Sequence, residues 1–385
     1  MTFERTSIEK LYDSAFIGGN SVRLLYKGKD SFDAIFRGIG EAKNLICLEF
    51  YIFRNDETGT ELAAILKKKA KEGVSIYILY DHFGSFGTSR RFWDDLKCAG
   101  IKIRASRPFK WSSPFHYVHR DHRKLIIIDS TRAFTGGLNI ANEYRGFHLR
   151  LKREGWRDTG IMLEGPIVFE LLKTFQKAWK IWGGGTIPFR AGQALPLHSP
   201  QNNGLPVIPI FAASARGRRR MRRLLYYSIN HARKSIHITT AYFTPSRRML
   251  DSLENAVKRG VEVKLLLPGK SDVPAAHYAG RAFFTKLLRA GVRIYNYQGE
   301  VLHAKSYVFD GCWSIVGSAN LDFQSLRWND EGNVGILDEG FGRQMMGIFE
   351  EDLKNSIEIK EVEWIRRPVC DRLKERLFVL FRRKL

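Results

Sequence analysis

The sequence predicts an α/β protein built of two similar lobes, each a mixed sheet flanked by helices. The first observation is an internal repeat: residues 42–51 resemble residues 233–242, and both segments have the composition of a buried strand. In each half a helical stretch ending in Gly-Val then leads into a second apolar strand, at residues 75–80 and 262–267. Strands that alternate with helices indicate a sheet covered by helices, and the repeat indicates two copies of that unit.

A segment rich in Gly, Pro and Asn separates the two halves. It follows an apolar helical stretch at residues 168–182, and its composition is typical of an exposed connection. The predicted organisation is a first lobe over residues 1–182, a linker over 183–206, a second lobe over 207–350 and a basic amphipathic tail over 351–385.

The composition of the chain limits the classes of protein to which it can belong. Its 385 residues, 44% of them hydrophobic, suffice for two folded lobes with cores of their own. The net charge of +23 favours binding to a polyanion, either nucleic acid or an anionic membrane surface. The four cysteines are far apart, so we expect a reducing, cytosolic setting without a disulfide framework or a structural zinc site. No apolar run approaches the ~18 residues of a membrane span, and the N-terminus does not read as a signal peptide.

A motif of the form His-x-Lys-x4-Asp occurs once in each half and is followed by an Asn seventeen residues after the His. Its members are His122, Lys124, Asp129 and Asn139 in the first half, and His303, Lys305, Asp310 and Asn320 in the second. The repetition of the whole pattern, with a small residue before each Asn, is not expected by chance and marks a candidate site.

Each copy of the motif is predicted to form a β-hairpin. Asp129 and Asp310 fall at the turns, and the His and Lys of each copy, two residues apart on a strand, should share a face. An Asp seven residues from the His is roughly 23 Å away along a straight strand, so we expect it to fix the turn in a supporting role. The Asn of each copy returns toward the His-x-Lys end, where we expect it to bind substrate.

This set of side chains suits chemistry at phosphorus. One imidazole would attack phosphorus to give a phosphohistidine, and the other would act as acid and then as base. The lysines and asparagines would hold the non-bridging oxygens as charge develops. We expect Glu143 and Glu331 to accept a hydrogen bond from the imidazoles and so to orient them.

No metal or other cofactor is required by this chemistry. The histidines at 116, 119 and 122 are spaced every three residues and raise the alternative of a metal cluster. The second half has no equivalent triple, and we interpret the additional histidines as surface or substrate-groove residues.

The duplicated motif resembles that of the phospholipase D superfamily, and within it the chain is most similar to bacterial cardiolipin synthases. The resemblance runs from about Gly19 to the C-terminal tail, and its matching segments are residues 49–52, 81–85, 122–124, 136–144, 156–158, 164–166, 242–245 and 316–322. It implies two phospholipase D-like lobes that share one active site and work through a phosphohistidine. The chain departs from the family pattern in two ways. Position 324 is Gln, where the family usually has Arg. The N-terminal membrane helices of many members are also missing from this sequence, which makes it similar to the short, peripheral members.

From the resemblance we expect a phosphatidyltransferase that moves a phosphatidyl group from one phosphatidylglycerol to another, releasing glycerol and forming cardiolipin. His122 is the expected nucleophile and His303 the acid and base, and the pseudo-symmetry leaves the reverse assignment open. The alternatives are a phospholipase D hydrolase or a nuclease that uses water, or a non-catalytic scaffold that binds lipid or nucleic acid. The expected location is the cytoplasm, peripheral on the inner face of the cell membrane, with an anionic phospholipid surface as partner.

The tail from Pro368 onward reads as an amphipathic helix. Leu373, Leu377, Leu380 and Phe381 fall on one helical stripe that basic residues flank. Either this stripe packs on the second lobe as a final helix, or it inserts between lipids while its cations meet anionic headgroups. The arginine-rich run at residues 216–223 is a second candidate for membrane contact, unless it is the solvated start of a helix.

Overall fold

The computed structural model describes residues 3–109, 119–146, 155–188 and 204–382, which divide into two compact units. The N-lobe comprises residues 17–211 and 330–333, and the C-lobe comprises residues 1–16, 212–329 and 334–385. These boundaries differ from the predicted ones, because the first sixteen residues belong with the second half and residues 330–333 belong with the first. Most of the predicted linker, residues 189–203, lies outside the described residues.

The helices and strands are numbered in chain order. Those of the N-lobe are β1 (Ile17–Leu25), α2 (Gly28–Gly40), β2 (Leu45–Phe50), α3 (Glu57–Lys71), β3 (Ser75–Asp81), α4 (Arg90–Cys98), β4 (Lys102–Ser106), β5 (Leu125–Ile128), β6 (Arg132–Gly136), α5 (Asn142–Arg145), β7 (Gly160–Glu164), α6 (Ile167–Ile181) and β8 (Leu205–Ala212). Its strands run in the order β8-β1-β7-β6-β5-β2-β3-β4. β2, β3 and β4 are parallel, and β5 pairs antiparallel with both β2 and β6, so the sheet is mixed as predicted.

The central strands of the N-lobe are buried on both faces. In β2, Ile46, Leu48 and Phe50 enter the main core with α2, α3 and α4. The alternate residues face the other way, as Tyr77 of β3 does where it packs edge-on against Trp179 of α6 at 5.4 Å. Helices on both faces explain why β2 reads as a continuous apolar run, as the strands of parallel sheets do. Its one charged residue, Glu49, is therefore buried as well.

The C-lobe repeats this arrangement. Its elements are α1 (Arg5–Tyr12), α7 (Ala215–His231), β9 (Ser235–Thr239), α8 (Arg247–Lys258), β10 (Glu262–Pro268), α9 (Pro274–Arg281), α10 (Phe284–Arg289), β11 (Arg293–Tyr297), β12 (Ser306–Phe309), β13 (Trp313–Gly317), α11 (Phe323–Arg327), β14 (Glu331–Leu337), α12 (Glu339–Lys354), β15 (Ser356–Glu358), α13 (Glu361–Ile365) and α14 (Val369–Leu380). The strand order is β15-β11-β10-β9-β12-β13-β14, where residues 334–337 of β14 belong to the C-lobe and residues 331–333 to the N-lobe. The predicted α/β class, with mixed sheets flanked by helices, is confirmed.

Two parts of the chain join the C-lobe although the sequence suggested otherwise. The N-terminal segment packs there because Phe3 and Phe16 contact the aromatic rings of Phe309 and Trp313, with ring centres 6.1 and 5.9 Å apart. The segment after residue 350 is not only a tail, since β15 pairs with β11. In the part of the chain that the structure describes, no helix is both long enough and apolar enough to span a membrane.

Candidate active site

The predicted hairpins are present, and the Asp of each motif fixes the turn. Asp129 has a left-handed backbone (φ 50°), and its carboxylate accepts hydrogen bonds from the backbone N–H groups of Lys43, Asn44 and Leu45 at 2.7–2.9 Å. Asp310 repeats this geometry (φ 51°) with the N–H groups of residues 233–235. Each Asp thus ties its hairpin to the start of a central strand, β2 or β9, as the supporting role predicted.

The His-x-Lys segments lie just before the strands instead of on them, which corrects the expected placement. β5 begins at Leu125 and β12 at Ser306, so the alternation of a strand does not set the direction of the His and Lys side chains. The Lys nevertheless folds back on its own His: Lys124 Nζ donates to the His122 carbonyl at 2.7 Å. Both residues are buried, with Lys124 2% and His122 7% exposed.

The imidazole of His122 is oriented by Glu331. Its Nδ1 atom lies 3.0 Å from Glu331 Oε2, and the Glu331 side chain is fully buried. A carboxylate accepts a hydrogen bond at Nδ1, so this contact holds the proton on Nδ1 and directs Nε2 away from the carboxylate. The ring of Tyr51 lies edge-on to the imidazole, with ring centres 5.0 Å apart.

The backbone around His122 is held from two sides. The His122 N–H donates to the Asp330 carbonyl at 2.9 Å, so the 330–333 segment that carries Glu331 also binds the motif backbone. The preceding N–H, of Asp121, donates to the Asp81 carboxylate at 2.8 Å. Burial raises the pKa of Asp81 to about 6, against the opposing effect of the N–H groups of Gly84 and Asp121.

A buried cluster of charges lies beside the motif and was not predicted. Arg123, between His122 and Lys124, makes a bidentate contact with Asp121, with both distances 2.8 Å, and its Nη2 atom lies 2.8 Å from Glu49 Oε1. Burial raises the pKa of Glu49 well above its usual range, although Arg123 opposes the shift. Burial acts on Asp121 in the same direction, but there the Arg123 charge prevails and its pKa is lowered.

In the C-lobe, Lys305 contacts the second motif histidine directly. Lys305 Nζ lies 2.6 Å from His303 Nδ1 and also donates to the His303 carbonyl. Both side chains are buried, and Tyr242 lies edge-on to His303, with ring centres 6.3 Å apart. The two motifs therefore differ at Nδ1, which faces a carboxylate in one copy and an ammonium group in the other.

The two asparagines hold the ends of central strands. Asn139 is fully buried; its oxygen accepts from the Ile52 N–H at 3.1 Å and its amide nitrogen donates to the Tyr144 hydroxyl at 2.7 Å. Asn320, also buried, accepts from the Tyr242 N–H at 3.3 Å. Each contact uses one N–H group or one lone pair of the amide, and an asparagine has two of each, so contact of Asn139 and Asn320 with substrate stays a prediction.

Glu143 does not share the role of Glu331 in the N-lobe. Its carboxylate forms an ion pair with Arg54 at 3.1 Å, and its side chain is 18% exposed. The carboxylate beside His122 is that of Glu331, which comes from the second half of the sequence. Glu143 is the closer of the two in sequence, so distance along the chain does not identify the partner. Of the other histidines considered above, residue 116 lies outside the described residues.

The two glycines before Asn139 allow the backbone there to lie close to Asp158 and Gly160. A Cβ atom on Gly137 would lie 2.0 Å from Asp158 Oδ1, and one on Gly136 would lie 2.4 Å from the Cα atom of Gly160. In the N-lobe, therefore, the small residues before the Asn leave room for β7 and for the residues that precede it.

The arginine-rich run at residues 216–223 is not a uniform surface. It lies on α7, where Arg218 is buried, Arg220 forms an ion pair with Asp13 and Arg222 donates to the Leu326 carbonyl. Part of its charge thus anchors α7 to other parts of the C-lobe, which weakens the case for a continuous lipid-facing patch.

Comparison with known proteins places this site in a family. The family model described as "Cardiolipin synthase, PLD-like domain" matches residues 35–179 and 225–353. The chain is 34% identical to the probable cardiolipin synthase YwiE of Bacillus subtilis, covering 94% of this chain and 72% of the relative. It is 35% identical to cardiolipin synthase 2 of Bacillus cereus (93% and 69% covered) and 33% identical to cardiolipin synthase A of Pseudomonas putida (92% and 72% covered).

Solved structures with low sequence identity share the fold. A phosphatidylserine synthase from Haemophilus influenzae superposes with a TM-score of 0.76 at 14% identity, covering 99% of this chain and 100% of that one. A polyphosphate kinase from Porphyromonas gingivalis gives a TM-score of 0.59 at 15% identity, covering 95% of this chain and 53% of that one. The family match to both halves, with relatives 33–35% identical over 92–94% of the chain, shows that this protein belongs to the cardiolipin synthase family of phospholipase D-like enzymes.

Proposed function

We propose that this protein transfers a phosphatidyl group from one phosphatidylglycerol to the hydroxyl of a second, releasing glycerol and forming cardiolipin. The observation that carries the proposal is the buried His122–Glu331 pair within a duplicated His-x-Lys motif, in a chain of the cardiolipin synthase family. The protein acts at the inner face of the cell membrane, where its lipid substrate resides.

In the first step, His122 Nε2 attacks phosphorus, a P–N bond forms and the P–O bond to the headgroup glycerol breaks. Glu331 supports this role because it keeps the proton of His122 on Nδ1, so that Nε2 has a lone pair. His303 gives its Nε2 proton to the leaving glycerol oxygen while Lys305 Nζ gives a proton to Nδ1, so the imidazole stays neutral. Lys305 supports that role, since an ammonium group has no lone pair and Nδ1 of His303 must accept from it, which places the ring proton on Nε2.

In the second step, the hydroxyl of another phosphatidylglycerol gives its proton to His303 Nε2 and attacks phosphorus, while His303 Nδ1 returns its proton to Lys305 Nζ. The P–N bond breaks, cardiolipin leaves and His122 is regenerated. The charge of Lys124 and a remaining N–H group of Lys305 hold the non-bridging oxygens, and neither step requires a metal ion. Asp129 and Asp310 hold the hairpins, and Asn139 and Asn320 position the ends of β2 and β9 and donate their second amide N–H to the substrate phosphate.

Labelled phosphatidylglycerol distinguishes transfer from its alternatives. Vesicles labelled in the headgroup glycerol and in the acyl chains should yield glycerol and cardiolipin in equal amounts. Phosphatidic acid without cardiolipin would instead indicate a hydrolase that uses water. DNA cleavage without lipid turnover would indicate a nuclease, an activity that the net charge of +23 also suits.

The role of Glu331 can be tested against Glu143, its counterpart among the predicted acceptors. Glu331→Gln should lower kcat about 100-fold or more, because an amide no longer fixes the His122 tautomer as a carboxylate does. Glu143→Gln removes a carboxylate that pairs with Arg54, and it should leave kcat within about two-fold of wild type. Steady-state kinetics of cardiolipin formation measure both, and equal losses in the two variants would contradict the assignment.

A further inference from the structure

The last helix of the C-lobe, α14, docks with the side that carries its two acidic residues and Phe378, whose ring stacks on Tyr278. It packs against α9, and the buried Glu375 accepts from Arg281 Nε at 3.0 Å and from Arg367 Nη2 at 2.7 Å. Asp371, one turn earlier, accepts from Arg281 Nη2 at 2.9 Å. The two acidic residues of α14 therefore face the protein and are paired with arginines.

The apolar stripe of this helix faces outward. Val369, Leu373, Leu377 and Leu380 recur at helical spacing, and each is more than half exposed, as is Phe381 just beyond the helix. An amphipathic helix ordinarily packs its apolar side on the core. This segment does pack on the C-lobe as a final helix, but its apolar stripe does not take part in that packing. A soluble surface rarely presents such a row unless something covers it.

The charges beside the stripe are basic. Arg372 and Arg376 flank it on one side and Lys374 on the other, and all three are exposed. Because the acidic residues of α14 are turned inward, the outward surface combines large apolar side chains with positive charge alone. Such a surface complements an anionic lipid interface, where apolar side chains enter the acyl boundary and cations meet the headgroup phosphates.

We propose that α14 is an in-plane membrane-binding helix which seats the C-lobe on an anionic phospholipid surface. The helix lies parallel to the surface, because its twelve residues form a single amphipathic face. This inference adds a location to the proposed function and is independent of it, since seating on the lipid requires no turnover.

Vesicle sedimentation of the full chain tests the apolar stripe. Leu377→Gln with Leu380→Gln should weaken binding to phosphatidylglycerol vesicles by roughly ten-fold or more, because two side chains no longer enter the lipid. The matched control, Phe86→Gln with Ile181→Gln, alters two exposed apolar residues of the N-lobe and should bind as the wild type does. Equal binding by the leucine variant and the wild type would overturn the proposal.

The charge requirement is tested separately. Arg372→Gln with Arg376→Gln should weaken binding to phosphatidylglycerol vesicles, with little effect on the weaker binding to phosphatidylcholine vesicles, and the difference should shrink as salt is added. All variants should turn over dispersed short-chain phosphatidylglycerol at the wild-type rate. A lack of turnover in every protein, wild type included, would reject the proposed function and leave the binding result intact.

The exposed cysteines report insertion without disturbing the stripe. Cys370 lies on α14 and Cys98 at the end of α4, and the other two cysteines are buried. A polarity-sensitive dye on Cys370, in a Cys98→Ser protein, should shift to the blue on phosphatidylglycerol vesicles, whereas a dye on Cys98, in a Cys370→Ser protein, should not. A shift that appears without vesicles as the protein concentration rises would show that a second copy covers the helix, and would overturn the proposal.

Discussion

Replacing His122 with Ala should lower cardiolipin formation by at least about a thousand-fold, and His303→Ala should do the same. In the proposed mechanism each change removes a different function from one reaction: the nucleophile that forms the P–N bond, or the group that carries the proton. In that mechanism the lysines would still bind the lipid in both variants, so KM should change far less than kcat. Measurement of initial rates on labelled phosphatidylglycerol gives both constants.

The two histidine variants should differ in what they accumulate. His303→Ala retains the nucleophile, so a lipid-linked protein should persist and be visible after acid-free denaturation with labelled substrate. His122→Ala should form none. A third variant, His237→Gln, alters a buried C-lobe histidine that stacks on Phe349, and it should retain activity if folded. Near wild-type turnover by either motif variant would reject the requirement for both histidines, and label on His122→Ala alone would reverse the assignment.

The repeat made much of this structure predictable. Residues 42–51 and 233–242 resemble one another because each contains a strand and the backbone N–H groups that a motif Asp binds. A single sequence therefore suffices to predict both the Asp at the turn and the strand whose backbone it binds. The placement of Asp129 and Asp310 followed from chain geometry alone, since an Asp at the far end of a hairpin cannot reach the His.

The partner of His122 was less accessible to sequence reasoning. Glu331 lies near the second motif in sequence, but residues 330–333 fold into the N-lobe, where the Asp330 carbonyl accepts from the His122 N–H. The similarity of the two halves predicts that each half supplies all the residues of its own lobe. That prediction fails for residues 330–333, which lie in the second half of the sequence but belong to the N-lobe. The same limit applies to α14, whose periodicity predicted an apolar stripe without saying which way the stripe faces.

Arg123 was not predicted, because comparison of the two halves gives no sign that this position matters. The corresponding residue of the second motif is Ala304, so the position reads as variable, and an Arg between two polar residues reads as solvated. In the structure it is 2% exposed, and its carboxylate partners include Glu49, far away in sequence. A buried cation with two such contacts has a strong effect on stability when it is removed.

Arg123→Met should therefore lower the free energy of unfolding of the N-lobe by about 3–5 kcal/mol, because Asp121 and Glu49 remain buried without their cation. Arg132 provides the matched control. It also contacts two carboxylates, of Glu41 and Glu164, but its side chain is 31% exposed, so Arg132→Met should cost less than about 1 kcal/mol. Urea denaturation of the two variants and the wild type measures the difference.

The loss caused by Arg123→Met should also grow as pH rises. Burial already raises the pKa of Glu49. Without Arg123 the pKa of Asp121 should rise too, since the charge of Arg123 is the largest of the effects that oppose burial there and its side-chain hydrogen bond adds to it. Carboxyl groups whose pKa is higher in the folded than in the unfolded state bind more protons when folded, so they lower stability as pH increases through that range. The variant should thus approach the wild type in urea at pH 5 and fall furthest below it at pH 8. Two results would contradict this account: a loss of unfolding free energy that is equal at pH 5 and pH 8, or one no larger than that of Arg132→Met. Either would mean that water screens the cluster and that the cluster does not hold the His122 segment in place.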